Sequence, residues 1–127
     1  LLKDEGEALI QSILIEDWRF EDYRKKADFI QRFIFPGGML PSLKVLEDIF
    51  PKQGLLLKNV MHFGESYVKT MNLWNRLFQQ SWDQIKENGF DSRFKRMWEY
   101  YFAYCETGFR TKAIDVAMIH LKKATSS

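Results

Sequence analysis

One cysteine, two histidines, a Gln-Ser pair inside an apolar run and two rows of aromatic rings are the side chains whose type and spacing bear on chemistry. His62 and His120 lie far apart, and neither stands at the short spacing from a Cys, His or carboxylate that builds a zinc site, so no metal centre is expected. Cys105 falls among Tyr101, Tyr104 and Phe109, surroundings in which a small thiol is ordinarily buried and inert. A single cysteine forms no internal disulfide, which fits a reducing compartment. Gln11 and Ser12 admit two readings. They are either a hydrogen-bonded pair closing a buried strand, or ligand-binding groups at the carboxyl end of a strand, where open α/β sheets bind ligands.

The elements that must position these groups follow from periodicity. Ala8 to Ile15 is apolar on both faces apart from Gln11 and Ser12, the pattern of a strand covered by helices in an α/β sheet. Tyr23, Ala27, Ile30 and Ile34 recur at spacings of four and three, predicting one helix from about Glu21 to Ile34, ended by Pro36 and Gly37-Gly38. Ser42 caps a short helix to about Phe50 that Pro51 closes, and Leu55 to Phe63 reads as a second strand. Tyr67, Met71, Trp74, Phe78, Trp82 and Ile85 mark one side of a long helix. Asn88-Gly89 ends it, Asp91 caps the next, and there Phe94, Trp98, Tyr101, Cys105 and Phe109 share a face. Ile114 to Lys122 reads as a last strand. Three strands, with a two-helix insertion at about 65–111 before the third, make an α/β fragment rather than a helical bundle.

A chain of 127 residues with 46% apolar content builds one domain. Its net charge of +2, with acids and bases interleaved, lacks the gathered basic face of a nucleic-acid binder but suits anionic lipid. No apolar run approaches the roughly 20 residues of a spanning helix, and LLKDEGE lacks the basic and apolar regions of a signal peptide. A soluble, cytoplasmic protein is expected. The aromatic content of 16% reads first as a bulky core, into which Met61, Met71 and Met97 also fall. Thr125 to Ser127 reads as a disordered tail.

Three longer stretches carry a family resemblance: FIQRFIFPGGMLPS (Phe29 to Ser42), YVKTMNLW (Tyr67 to Trp74) and RMWEYYFAYCETGFR (Arg96 to Arg110). Together they resemble the C-terminal part of cyclopropane-fatty-acyl-phospholipid synthases, S-adenosylmethionine-dependent methyltransferases of the mycolic-acid cyclopropane synthase type. The likeness runs from Leu1 to Lys123, with Leu1 to Ile13 similar to a helix end and following strand. It implies the C-terminal part of a class I (Rossmann-like) methyltransferase fold, a single partial domain over 1–127 whose two-helix insertion is a lid. The final strand would then lie between the other two and antiparallel to both.

The resemblance further implies methyl transfer to the cis double bond of unsaturated phospholipid acyl chains, at the inner face of the cell membrane. The cofactors would be S-adenosylmethionine and a bicarbonate ion serving as base. Tyr67 matches the tyrosine that donates a hydroxyl to that anion, and Ile13 the residue whose backbone N–H binds it. Gln11 stands where many members carry histidine; its amide can donate one hydrogen bond but cannot share a proton. The family's glutamate and upstream cysteine at this site are not among these residues. Tyr101, Phe109, Trp74 and Cys105 fall where the lid lines the acyl cavity, and ring faces there can stabilise a carbocation. S-adenosylmethionine sites of the common type need a glycine-rich turn after a strand, and here the one close pair, Gly37-Gly38, follows a helix. The methyl donor is therefore expected to be held elsewhere. Two other classes are a non-catalytic lipid-binding module and an interaction domain that pairs with a separate cofactor-binding chain.

In that arrangement the first strand presents an open apolar edge, which invites pairing with another chain. Homodimers, swapped dimers or aggregates are expected. Light scattering of a concentrated solution checks this, and a clean monomer counts against the arrangement.

Overall fold

The computed structural model describes residues 2–124. The expectation for Thr125 to Ser127, and the beginning of the matched stretch at Leu1, lie outside them. Strands β1 (Glu7–Ile15), β2 (Leu55–His62) and β3 (Ile114–Lys123) form one sheet in the order β1-β3-β2. Both outer strands run antiparallel to β3, with Glu7 opposite Lys122, Ile15 opposite Ile114, and Leu55 opposite Lys123. The late strand is thus central, as expected. Residues 2–6 form a turn closed by Gly6 N–H on the Lys3 carbonyl (2.7 Å), so the anticipated helix end is not found there.

Alternation along β3 divides the apolar residues between two cores. Ala117, Ile119 and Leu121 meet Leu14 of β1 and Phe50 of helix α2 (Leu43–Lys52). Val116 points the other way, onto Met71, Phe102, Cys105 and Phe109 of the paired helices α3 (Gly64–Glu87) and α4 (Ser92–Arg110). Val116, Ala117, Ile119 and Leu121 are all within 1% of full burial. The caps read from sequence are in place: Ser42 Oγ accepts from Val45 N–H (3.2 Å), and Asp91 Oδ1 from Phe94 N–H (2.9 Å). Pro51 does not stop α2, which runs one residue further before Gly54, at φ 73°, turns the chain into β2.

The helix expected over 21–34 is broken. It divides into a short helix α1 (Phe20–Lys25) and a single π-turn (Ile30–Ile34), with Lys26 extended between them. Asp28 starts the second piece: its Oδ1 accepts from Gln31 N–H and its N–H donates to Gln31 Oε1, both at 2.9 Å. That reciprocal pair is a capping box, and it outweighs the apolar spacing that suggested a continuous helix. The strand β1 is also less covered than its composition suggested. Leu9 is 65% exposed and Ile10 and Ile13 are exposed too, because β1 is the sheet's edge and only its last residue is bridged, to Ser42.

The lid is pinned to the sheet at its root. Asp115 Oδ1 accepts from Gly64 N–H and Val116 N–H, each at 2.8 Å, while its Oδ2 lies 2.7 Å from His62 Nδ1. A Cβ at Gly64 would fall on Asp115 Oδ1 and close to its backbone, whereas a Cβ at Gly108 would meet only the movable side chain of Ile114. Gly64→Ala is therefore expected to cost roughly 1–3 kcal/mol. Gly108→Ala should cost less, since alanine's helix propensity offsets part of the crowding. Denaturant midpoints of the two variants check the order.

Candidate active site

Gln11 lies in the middle of β1 rather than at its carboxyl end, and the pleat sends Gln11 and Ser12 to opposite faces. The sequence reading that paired them is corrected on both points. Ser12 Oγ bonds only locally, to the Ile13 carbonyl (3.1 Å). Gln11 reaches across instead: its Nε2 donates to Tyr67 Oη at 2.9 Å, joining the edge strand to the first turns of the lid. The Tyr67 hydroxyl proton remains available to a further acceptor. Tyr67 itself is wedged between Phe63 and Phe109, with ring centroids 6.0 and 5.5 Å away.

Ile13 shares the Gln11 face, two residues on. Its amide direction follows from the ladder. Glu16 N–H donates toward β3, to the Ala113 carbonyl (3.1 Å), while Ile15 N–H donates away from it, to the Pro41 carbonyl (3.0 Å). Successive residues alternate, so the Ile13 N–H points to the open edge, on the side away from β3. Gln11 and Tyr67 are thus joined at the border strand whose Ile13 N–H is turned to the open edge, and hydrogen-bond donors of this kind can hold a small anion or oxyanion.

Of the four residues expected to line an acyl cavity, three are grouped and one is not. Phe109 is 1% exposed and Cys105 5%, and Tyr101 packs edge-on against Trp98 with centroids 5.1 Å apart. Trp74 is 45% exposed, beside exposed Leu73 and Leu77, and takes no part in the helix pair's interface. The buried row of α3 runs instead through Tyr67, Val68, Met71 and Phe78, with the half-buried Asn75 between the last two; the three-residue step from Met71 to Trp74 falls one position short of it. On α4 the reading omitted Phe102, which contacts Phe78 and Trp98 and closes the seam. Most of the aromatic rows pack on each other and on β3.

Burial pushes the Cys105 thiol up to about 11, with a hydrogen bond from Tyr101 opposing and Asp28 adding to the rise. Tyr101 and Tyr104 are each raised to about 12, first by burial; Cys105 adds to the first and Asp28, on the Tyr104 hydroxyl at 3.2 Å, to the second. A neutral buried thiol is no nucleophile. His62 is engaged by Asp115 and His120 by Glu7, at 2.7 and 3.1 Å. No helix of the described residues is long and apolar enough to cross a membrane.

An antiparallel last strand inserted between its predecessors, helices on both faces and a helical pair set before that strand define the C-terminal part of a class I methyltransferase sheet. The mycolic acid cyclopropane synthetase pattern matches residues 1–119, and the chain belongs to that family of S-adenosylmethionine-dependent enzymes. Tuberculostearic acid methyltransferase UfaA1 of Mycobacterium tuberculosis is 38% identical over 117 residues, which cover 91% of this chain and 27% of the relative. Cyclopropane-fatty-acyl-phospholipid synthase of Escherichia coli is 32% identical over 88 residues, covering 69% and 22%. The cyclopropane synthase MmaA2 of M. tuberculosis superposes with a TM-score of 0.84 at 24% identity, over 96% of this chain and 46% of that one. Mycolic acid cyclopropane synthase CmaA1, solved with SAH and CTAB, also gives 0.84, at 23% identity over the same shares. The chain thus spans about a quarter of the length of these curated relatives (27% and 22%).

The raised acids give a pH signature. Cys105 ionises near 9 when unfolded and about 11 when folded, so its contribution is complete below pH 9 and is lost as pH climbs towards 11. Thermal unfolding midpoints should fall across that window, and less steeply in Cys105→Ala. An equal slope in both proteins would contradict the burial argument.

Proposed function

We propose that these residues form the lid and the proton-accepting side of a methyltransferase acting on the cis double bond of unsaturated fatty-acyl chains of phospholipids. The observation that carries the reading is the Gln11 to Tyr67 hydrogen bond, made by a tyrosine whose ring packs on Phe109. In this reading S-adenosylmethionine is held on the part of the relatives' fold that this chain does not span, and supplies the methyl group. The chemistry it would supply is transfer of that methyl to the alkene carbon, the sulfur keeping the electron pair of the broken bond and the acyl chain being left as a cation. Loss of a proton from the added methyl then closes the ring.

A bicarbonate ion fits the donor set here. It would be held by the Tyr67 hydroxyl and the Ile13 N–H, and would supply the base that takes the proton. Gln11 then acts through Tyr67, accepting no proton itself but fixing the hydroxyl so that its hydrogen faces the anion. In this reading the rings of Phe109 and Tyr101 would serve the lid side of the acyl site, where a desolvated cation gains from the ring quadrupole. The 127 residues alone are expected not to turn over substrate.

In the full-length enzyme, Tyr67→Phe should lower turnover roughly 10²-fold or more while leaving S-adenosylmethionine affinity unchanged. Methyl transfer to unsaturated phospholipid and cofactor titration are the two readouts. Unchanged turnover removes Tyr67 from the mechanism.

A further inference from the structure

The stretch from Arg24 to Met39 projects apolar side chains into solvent from a hydrogen-bonded backbone. Phe33, Phe35 and Met39 are 53%, 56% and 55% exposed. The backbone beneath them is tied at each step: Phe35 N–H to the Ile30 carbonyl (2.7 Å), Gly38 N–H to the Phe35 carbonyl (2.9 Å), Gln31 Nε2 to the Gly38 carbonyl (2.8 Å). Leu40 N–H is held by the Tyr23 hydroxyl at 2.9 Å. A tip of large apolar groups held out by hydrogen bonds is a mark of an interaction surface.

Charge identifies the partner. Every exposed ionic side chain between residues 24 and 39 is basic: Arg24, Lys25, Lys26 and Arg32. The single acid of the stretch, Asp28, is partly buried and spends its oxygens on Gln31 N–H and the Tyr104 hydroxyl. Arg24 is paired with Glu21, whereas Lys25, Lys26 and Arg32 enter no ion pair among the described residues. The exposed row Leu73, Trp74 and Leu77 on α3 is flanked on its own helix by Lys69 and Arg76, fewer basic groups than the four of the Arg24–Met39 segment.

We propose that the Arg24–Met39 segment docks on an anionic phospholipid bilayer, with Phe33, Phe35 and Met39 entering the interface and Lys25, Lys26 and Arg32 on the headgroups. Apolar insertion joined to electrostatic attraction is what holds a protein at such a surface. The segment is also the rim of a cavity of about 500 Å³, lined mainly by apolar groups, to which Asp28, Ile30 and Leu40 contribute along with Tyr23, Tyr100 and Tyr104. Phe29 packs on Tyr100 (4.5 Å) and Phe35 faces Tyr101 (6.3 Å). The tip thus stands next to an apolar cavity on the side of α4 that carries Tyr100 and Tyr104. The inference rests on the acyl-chain reading above.

The test is co-sedimentation of the purified full-length protein with vesicles of phosphatidylglycerol and phosphatidylcholine, compared with phosphatidylcholine alone. Binding should need the anionic lipid, and should weaken roughly tenfold or more in each of Phe33→Ser/Phe35→Ser and Lys25→Glu/Lys26→Glu. Leu73→Ser/Leu77→Ser should bind as the parent does. In Phe35→Trp, which preserves the apolar tip, the added indole should be quenched by brominated acyl chains. Equal binding to neutral vesicles, loss in the α3 variant alone, no quenching, or capture of an acidic protein without vesicle binding overturns the proposal. Methyl transfer to dispersed lipid without vesicle binding would remove the docking surface and keep the enzyme; vesicle binding without methyl transfer would do the reverse.

Discussion

The last strand of the chain is laid between the two that precede it, and each of its faces carries a separate core. Ala117, Ile119 and Leu121 serve α2, and Val116 serves the α3–α4 pair. With both neighbours hydrogen-bonded to β3, no other strand could be withdrawn so destructively. Asp115 adds a second constraint at the entrance of that strand. One carboxylate ties the first amide of α3, an amide of β3 and the His62 ring, so the lid cannot pivot at its root without leaving polar groups unpaired.

From that fixed root the lid projects Tyr67 onto the border strand. The geometry has a simple economy: the tyrosine sits in the first turn of α3, close to the pinned Gly64, and its ring is braced on Phe63 and Phe109. A hydroxyl positioned this way is held by packing as much as by its bond to Gln11. The exposed tip at residues 33–39 is positioned by different means, through backbone hydrogen bonds and the Asp28 cap. The site and the tip are thus independent structural units that meet through α4, whose Tyr101 touches the side of the tip and whose Phe109 touches the site.

Much of this was legible in the residues. The strands, the two long helices and the caps at Ser42 and Asp91 follow from periodicity and short polar signals, and the central place of the last strand came from family likeness rather than from any local pattern. The break between α1 and the π-turn was written in the sequence as Asp28 and Gln31, three apart, but the apolar spacing across them was given more weight. Trp74 departs from its expected place because a row of aromatics at steps of three and four can follow more than one face of a helix. The Asp115 tether had no sequence signal at all: it joins residues about 50 positions apart, and only the fold brings them together. The same holds for Gln11 and Tyr67, whose pairing was implied by resemblance but whose hydrogen bond depends on the register of β1 against β3.

The position of β3 also bears on how the molecule comes into being. Among the described residues β1 and β2 each pair with β3 alone, so neither is joined to the other two strands until Ile114–Lys123 has been made. Throughout that interval α3 and α4 can zip together, while the apolar ribbons of β1 and β2 stay unmatched. Until β3 arrives, its place between them is open, and apolar strands left in that state can pair with each other in the wrong order.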